Sequence, residues 1–388
     1  MPRKLSTVAI VLMALVSVVA RADDGLPRLV TFRLPDGGVQ PQAAVDEKGT
    51  VHLIYLAGEA SHSDIFSIHS TDGGVTWSRP VRVNSQPGSA LAIGTVRGAH
   101  LALGRGGRLH VAWMGSSLAQ PKAPGKSTPM LYTRSTDDDQ AFEPQRNIVQ
   151  SKAGLDGGGS VAADAKGNVT VAWHAPESEG AGEQSRKVWL SRSEDDGKTF
   201  APERPATTQG GACGCCGLRL FASPDGPLYA LYRSADQKIH RDMTLLRIDP
   251  KTDAADAKVV GPMESAVCVM STAAFAPNPD GGVTGAWETE GQIYWAAAGA
   301  LEKNEKGVKA SKNGKGQKHP AVATNGRGET LIVWTEGTGW NRGGSIAWQI
   351  FGKDGSAIPK GSGRADGLPT WGAPAAFARP DGTFVIAY

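Results

Sequence analysis

All four cysteines of the chain fall in two short stretches, Cys213-Gly214-Cys215-Cys216 and Cys268. Thiols at that density support three chemistries, and the sequence leaves all three open. Four is an even number, so they can join as disulfides, with Cys268 pairing one member of the cluster. As thiolates, with Met270 close by, they suit a soft metal such as copper or zinc, although Cys-x-Cys-Cys has no standard zinc spacing. A single thiol whose pKa is lowered by Arg233 or Arg241 would serve as a redox group or nucleophile. Carboxylates form a second set. Glu288, Glu290 and Glu336 follow aromatic-ended runs, and Asp242 follows Arg241. Paired carboxylates are the equipment of glycoside hydrolysis, here with an arginine pocket from Arg233, Arg241 and Arg342. His174, Trp340 and Trp371 complete the candidates. A histidine ending a strand is more often hydrogen-bonded structure than ligand, and the tryptophans can stack on sugar rings or cover an axis.

The elements that carry these residues recur. A short β-rich run ending in an aromatic appears seven times: Thr50–Tyr55, Arg108–Trp113, Asn168–Trp173, Pro227–Tyr232, Gly282–Trp287, Glu329–Trp334 and Thr383–Tyr388, at spacings of 47–60 residues. Each copy follows a glycine-containing turn, and before that turn lies another strand of small and apolar residues, rich in alanine. Glycine supplies the positive φ that tight hairpins need. A third strand follows in Asp64–Ser70, Met130–Ser135 and Val188–Ser193, and a fourth in Ser78–Val83 and Phe200–Pro205. Four strands per repeat predict an all-β fold, a β-propeller with seven blades, or six if one hairpin is an embellishment. Small first strands suit the crowded hub where blades converge. The last copy ends on Tyr388 without outer strands, so Arg28–Leu34 is expected to close the ring and leave no free edge there. In such a ring the loops leading into inner strands and the loops after second strands open on one face. That places the four cysteines, Arg233, Arg241, Glu288, His174 and both tryptophans on the same side.

Turns after third strands share a further pattern. Ser70–Trp77 reads S-x-D-x-G-x-T-W, Ser193–Phe200 repeats it with phenylalanine last, and Ser135–Phe142 is a decayed copy. The pattern resembles the Asp box, the bacterial neuraminidase repeat of the sialidase superfamily. The resemblance implies a propeller over nearly all of residues 23–388, with Asp72, Asp137 and Asp195 as fold staples on the face away from the active site. Asp137-Asp138-Asp139 lacks the loop spacing of a calcium cage. The resemblance also implies what a working sialidase needs: an arginine triad, a tyrosine nucleophile with a glutamate, and an aspartate acid/base. Where the first arginine belongs, in an Arg-Ile-Pro motif, this chain has Gln40-Pro41-Gln42, and Phe32-Arg33-Leu34-Pro35 lies too early. Where the tyrosine belongs it has Thr370-Trp371-Gly372, and all six tyrosines fall within expected strands.

Composition bounds the remaining classes. Glycine is 50 of 388 residues, against an average share of about 7%. Met1–Ala22 has a basic start, an apolar run over Val8–Ala20 and a small-x-small site at Ala20-Arg21-Ala22, the signature of a secretory signal peptide. The apolar run is shorter than the roughly 20 residues that span a bilayer. Without Arg3, Lys4 and Arg21 the bases number 41 − 3 = 38, equal to the 38 acids. No basic stripe remains for nucleic acid. These residues point to a secreted or periplasmic, monomeric, sialidase-like propeller that binds a carbohydrate or small molecule at its cysteine- and arginine-bearing face and is not an active sialidase. The alternatives are an exo-acting glycoside hydrolase using Glu288 or Glu336, and a protein-interaction scaffold.

Overall fold

The computed structural model describes residues 28–388, apart from 137–140, 179–180, 208–209, 225, 237–238, 253, 304 and 313. The leader at 1–22 and the third box-like turn at Asp137 lie outside the described residues. Six four-stranded antiparallel sheets and one three-stranded sheet form seven blades. The single α-helix among the described residues is Ala298–Glu302. No helix among them is long and apolar enough to cross a membrane.

The inner strands are Val39–Val45, His100–Leu103, Ser160–Ala163, Arg219–Ala222, Ala274–Pro277, Lys318–Thr324 and Ala375–Ala378, one for each of blades 1 to 7. Their partners, the second strands, are Val51–Ala57, Leu109–Met114, Val169–Pro176, Leu228–Arg233, Val283–Thr289, Thr330–Glu336 and Phe384–Ala387. The expected third strands occur at Asp64–Ser70, Met130–Arg134 and Arg186–Ser193. The fourth strands of blades 1 and 3 shrink to the pairs Val81–Arg82 and Arg204–Pro205. Leu29–Phe32 closes the ring as expected, pairing parallel to Phe384–Ala387.

The core lies between blades. Side chains alternate across a strand, so one residue of each second strand faces the preceding blade and its neighbour the following one. The terminal aromatic takes the first role: Trp113 packs with Ile54 of blade 1, Trp173 with Met114 of blade 2, and Tyr55 with Ala387 of blade 7. Seven such clusters run round the circle. Trp113, Trp173 and Trp287 are fully buried.

The turns at 70–77 and 193–200 have the same internal hydrogen bonds. Asp72 accepts from the Ser70 hydroxyl at 2.7 Å, the Thr76 amide at 2.9 Å and the Thr76 hydroxyl at 2.6 Å. Asp195 accepts from Ser193, the Thr199 amide and the Thr199 hydroxyl at 2.7, 2.9 and 2.6 Å. Gly197 has φ 77°, and a Cβ there would strike the Tyr132 hydroxyl. Each turn ends in an aromatic that reaches the preceding blade: Trp77 stacks on Phe32 at 5.1 Å and meets Phe377 edge-on, while Phe200 meets Tyr132 at 4.9 Å. Because third strands run parallel to first strands, these turns lie on the face opposite the cysteines.

Burial works against ionisation of Asp72, but the hydrogen bonds from Thr76 and Ser70 outweigh it and bring the pKa down from 3.8 to about 2. A depressed carboxyl adds stability above its unfolded pKa and loses it as pH falls through the folded value. Acid unfolding followed by tryptophan fluorescence should therefore show stability falling as pH drops from 3.8 toward about 2, and Asp72→Asn should flatten that part of the profile. An unchanged profile would mean that the turn is not held by the carboxylate.

Candidate functional site

The loop leading into the inner strand of blade 4 gathers three thiols. Cys213 Sγ lies 3.4 Å from both Cys215 Sγ and Cys216 Sγ, and all three sulfurs fall within 4.8 Å of one another. Every cysteine is free, since 3.4 Å is far beyond the roughly 2.05 Å of a disulfide bond. Cys213 and Cys216 are buried and Cys215 is half-buried. Hydrogen bonds from Cys213 and Cys215, helped by the Arg233 guanidinium, lower the pKa of the Cys216 thiol against the effect of burial. Cys268 stands apart. Its residue is exposed and outside the triad, although its neighbour Val269 packs on Cys213 and Cys216. Three of the four cysteines thus come within ligand distance of one another, and Cys268 stays outside that group. The blade-5 loop carrying Cys268 is tied to blade 6 by Lys318, which donates to the Val269 carbonyl at 2.6 Å.

The backbone of the thiol loop is fixed from three blades. Cys213 N–H donates to the Arg233 carbonyl at 2.9 Å and Gly217 N–H to the Ser271 carbonyl at 2.9 Å. Gly214 N–H donates to Glu183 at 3.0 Å, and His174 Nε2 donates to the Cys216 carbonyl at 3.0 Å. Gly157 of blade 3 makes room, because a Cβ there would sit 2.7 Å from the carbonyls of Gly214 and Cys216.

The charged candidates separate into layers. Arg233 is fully buried and binds Glu288 at 2.7 Å, with further bonds to the carbonyls of Glu288 and Arg241. Burial pushes the Glu288 carboxyl up, while Arg233 pulls it back down. This pair lies beneath the face. Arg241 pairs with Glu183 at 2.7 Å, and the Asp242 carboxylate accepts from the Met263 amide. Glu336 accepts from the Trp334 indole at 2.7 Å and approaches Arg364. Glu290 and Arg342 are exposed. Glu183, which links the thiol loop to Arg241, was not among the sequence candidates. It lies in an irregular loop with no repeat to align.

A second group at the hub was also missed. Pairing registers put Gln42, His100, Ser160, Arg219, Ala274, Ala321 and Ala375 at equivalent places on blades 1 to 7, each opposite the residue that precedes its blade's aromatic. Four consecutive blades contribute polar groups and three contribute alanine. Arg219 Nη1 donates to Gln42 Oε1 at 2.5 Å and to His100 Nδ1 at 3.1 Å, and the Ser160 hydroxyl donates to the same nitrogen at 2.8 Å. Two donors on Nδ1 require a neutral His100 protonated at Nε2, and burial with the adjacent Arg219 charge lowers its pKa accordingly. Burial lowers Arg219 to about 10, so it stays charged at neutral pH. No carboxylate pairs with it among the described residues, and its Nε is buried without a partner. The signal in the sequence is an arginine and a histidine at the head of otherwise apolar inner strands, Arg219–Ala222 and His100–Leu103.

The channel lined by this ring also takes in Gln40, Thr95, Thr272 and His319. Thr95 and His319 join it to a cleft on the mouth face bounded by Met270, Lys318, Trp340 and Trp371. Trp340 is 48% exposed, with the Arg97 guanidinium over its ring. Gln40, Met270, His319 and Trp371 all have φ between 50° and 59°. Left-handed non-glycine residues cost about 1–3 kcal/mol each and collect at ligand sites.

No protein-family model and no curated protein sequence matches the chain. Solved structures share the fold. An ulvan lyase bound to a GlcA(1-4)Rha3S unit aligns with TM-score 0.52 at 11% identity, over 88% of each chain. An α-L-arabinanase of Penicillium chrysogenum complexed with arabinobiose aligns at TM-score 0.50 and 14% identity, over 83% of this chain and 95% of that one. A Trypanosoma rangeli sialidase aligns at TM-score 0.50 and 11% identity over 80% of this chain, which spans only 54% of the sialidase. The chain thus shares the β-propeller fold of sialidases, arabinanases and a polysaccharide lyase.

Removing one partner of a buried ion pair strands the other charge, at a cost of about 3–5 kcal/mol. Arg233→Met should lower unfolding free energy by that amount in denaturant titration, and adding Glu288→Leu should recover most of it. Unchanged stability in Arg233→Met, or no recovery on adding Glu288→Leu, would show that the pair does not hold blades 4 and 5 together.

Proposed function

We propose that this chain is an exported, sialidase-like β-propeller that binds an acidic saccharide at its axial mouth and does not hydrolyse sialosides. Arg219 carries the reading. A charged guanidinium deep in a channel, with no carboxylate to neutralise it, favours an incoming anion, because a desolvated charge is costly until paired. Trp340 and Trp371 beside Lys318 offer apolar ring faces and a cation at the cleft, the combination that suits a sugar with an acidic group. His174, Arg233 and Arg241 act behind this surface, by holding the thiol loop and the blade 4–5 junction, and do not touch the ligand.

Absence of sialidase turnover is supported by the residues at the expected catalytic places. Gln40, Pro41 and Gln42 line the axis where the resemblance asks for arginine. Arg33 instead donates to the carbonyls of Asp366 and Gly367 on the outer side of blade 6. Trp371 stands where a tyrosine would be needed, and Glu288 is spent on Arg233.

Calorimetric titration with uronic acids, N-acetylneuraminic acid and their neutral counterparts tests the reading, alongside an assay with aryl sialosides and aryl glycosides. The acidic sugars should bind and the neutral ones should not. Arg219→Gln should weaken binding roughly 10–100-fold, the worth of a charge-assisted hydrogen bond of about 1.5–3 kcal/mol. Equal binding of neutral sugars, or turnover lost in Glu288→Gln or Glu336→Gln, would replace the proposal with the hydrolase reading.

A further inference from the structure

The thiol loop has more order than a surface turn requires. Two of its cysteines are buried, and its amides and a carbonyl are tied to blades 3, 4 and 5 by the bonds to Arg233, Ser271, Glu183 and His174. Those bonds make the three sulfurs converge before anything binds. Three sulfurs so close together would repel one another as thiolates unless a cation lay between them. Their convergence is the arrangement a soft cation would need, with the ordering cost already met by the fold.

We propose that Cys213, Cys215 and Cys216 bind copper(I) as a three-coordinate thiolate centre on the mouth face.

Ligand type and number select the metal. Three sulfurs lie within 4.8 Å of one another, and no histidine nitrogen or carboxylate oxygen among the described residues belongs to the group. Calcium and magnesium want oxygen ligands. Structural zinc sites are almost always tetrahedral with four protein ligands. Soft thiolates suit copper(I) and zinc alike, and the donor number favours copper(I), which is satisfied by three sulfurs, whereas zinc takes a fourth ligand. Arg233 and Arg241 stand beside the sulfur set, each paired with a carboxylate of its own, Glu288 and Glu183. Cys215, half-buried, gives the ion its way in, while Cys213 and Cys216 sit out of water. The exposed Cys268 takes no part. Glu183 is a positioning residue: it holds Gly214 N–H with one oxygen and Arg241 with the other.

The test uses the full chain, reduced and handled without oxygen, titrated with copper(I) against a chromogenic copper(I) chelator. One ion per chain should bind, with a near-ultraviolet sulfur-to-copper band. Cys215→Ser should lose more affinity than the roughly 10–100-fold that changes outside the ligand set cost. Cys268→Ser and Arg219→Gln should bind copper as the parent does, the latter separating this site from the axial one. Zinc in excess should not displace the copper. Since a cysteine variant can fail by misfolding, copper X-ray absorption on the parent protein gives an independent reading: three sulfur neighbours are expected. Nitrogen or oxygen neighbours, undiminished binding by Cys215→Ser, loss of binding by Cys268→Ser, or displacement by zinc would each overturn the proposal.

Discussion

Blade 7 takes only two strands from the C-terminal end of the chain, Ala375–Ala378 and Phe384–Ala387, and the hub depends on Leu29–Phe32 to complete it. Closure is not left to backbone bonds alone. Phe32 meets Trp77 of blade 1, Trp77 meets Phe377 of blade 7, and Arg33 lies over the ring of Tyr388 at 4.0 Å. A propeller has no central core to hold its blades, only a circle of pairwise interfaces. Opening any one of them frees the rest to fan apart. The joint made by residues far apart in sequence bears the loop-closure entropy of the whole ring, which explains the aromatic packing concentrated there.

Closure creates the hub, and the hub forces an electrostatic choice. Inner strands converge closely there, and blades 5 to 7 present only Ala274, Ala321 and Ala375 to the axis. Against that background two arginines receive opposite treatment. Arg233 points between blades and is matched by Glu288 with a nearly complete set of bonds. Arg219 points into the channel and is given only the neutral partners Gln42 and His100. The first arrangement neutralises a charge so that a joint can be dry. The second keeps a charge available by surrounding it with groups that orient but do not neutralise it. The same residue type is thus neutralised between two blades and left without a carboxylate partner among the described residues at the hub.

Much of this was legible from the repeat. The seven aromatic-ended runs gave the second strands, because a buried aromatic between blades recurs with the blade period, and Asp64–Ser70 matches the third strand of blade 1 residue for residue. Fourth strands were read too long, since Val81–Arg82 and Arg204–Pro205 pair at the rim, where little packing rewards extension. The thiol triad followed from topology, which puts loops before inner strands on one face. The exclusion of Cys268 did not, because it depends on where one exposed loop points. Nothing in the spacing reveals that Arg233 is buried: its partner Glu288 lies one blade later, and only packing of blade 4 on blade 5 makes them meet. Arg219 and His100 stand out as charged or titratable residues in otherwise apolar inner strands, but only the closed ring brings them together with Gln42.

The two sites on the mouth face are parts of one mechanical unit. Cys216, Gly217, Leu218 and Arg219 are consecutive, so the loop that presents the sulfurs runs directly into the strand that presents the guanidinium. Gly217 N–H is bound to Ser271, and the Ser271 hydroxyl lies 3.4 Å from the His319 amide, where the channel joins the cleft. The amide of Leu220, one residue beyond Arg219, donates to Ser160, which also donates to His100. A displacement of the thiol loop cannot be absorbed between the sites, because no free residue separates them. That rigidity accounts for the strained backbone at Met270 and His319: residues that border both places are held by their neighbours rather than by their own preferences.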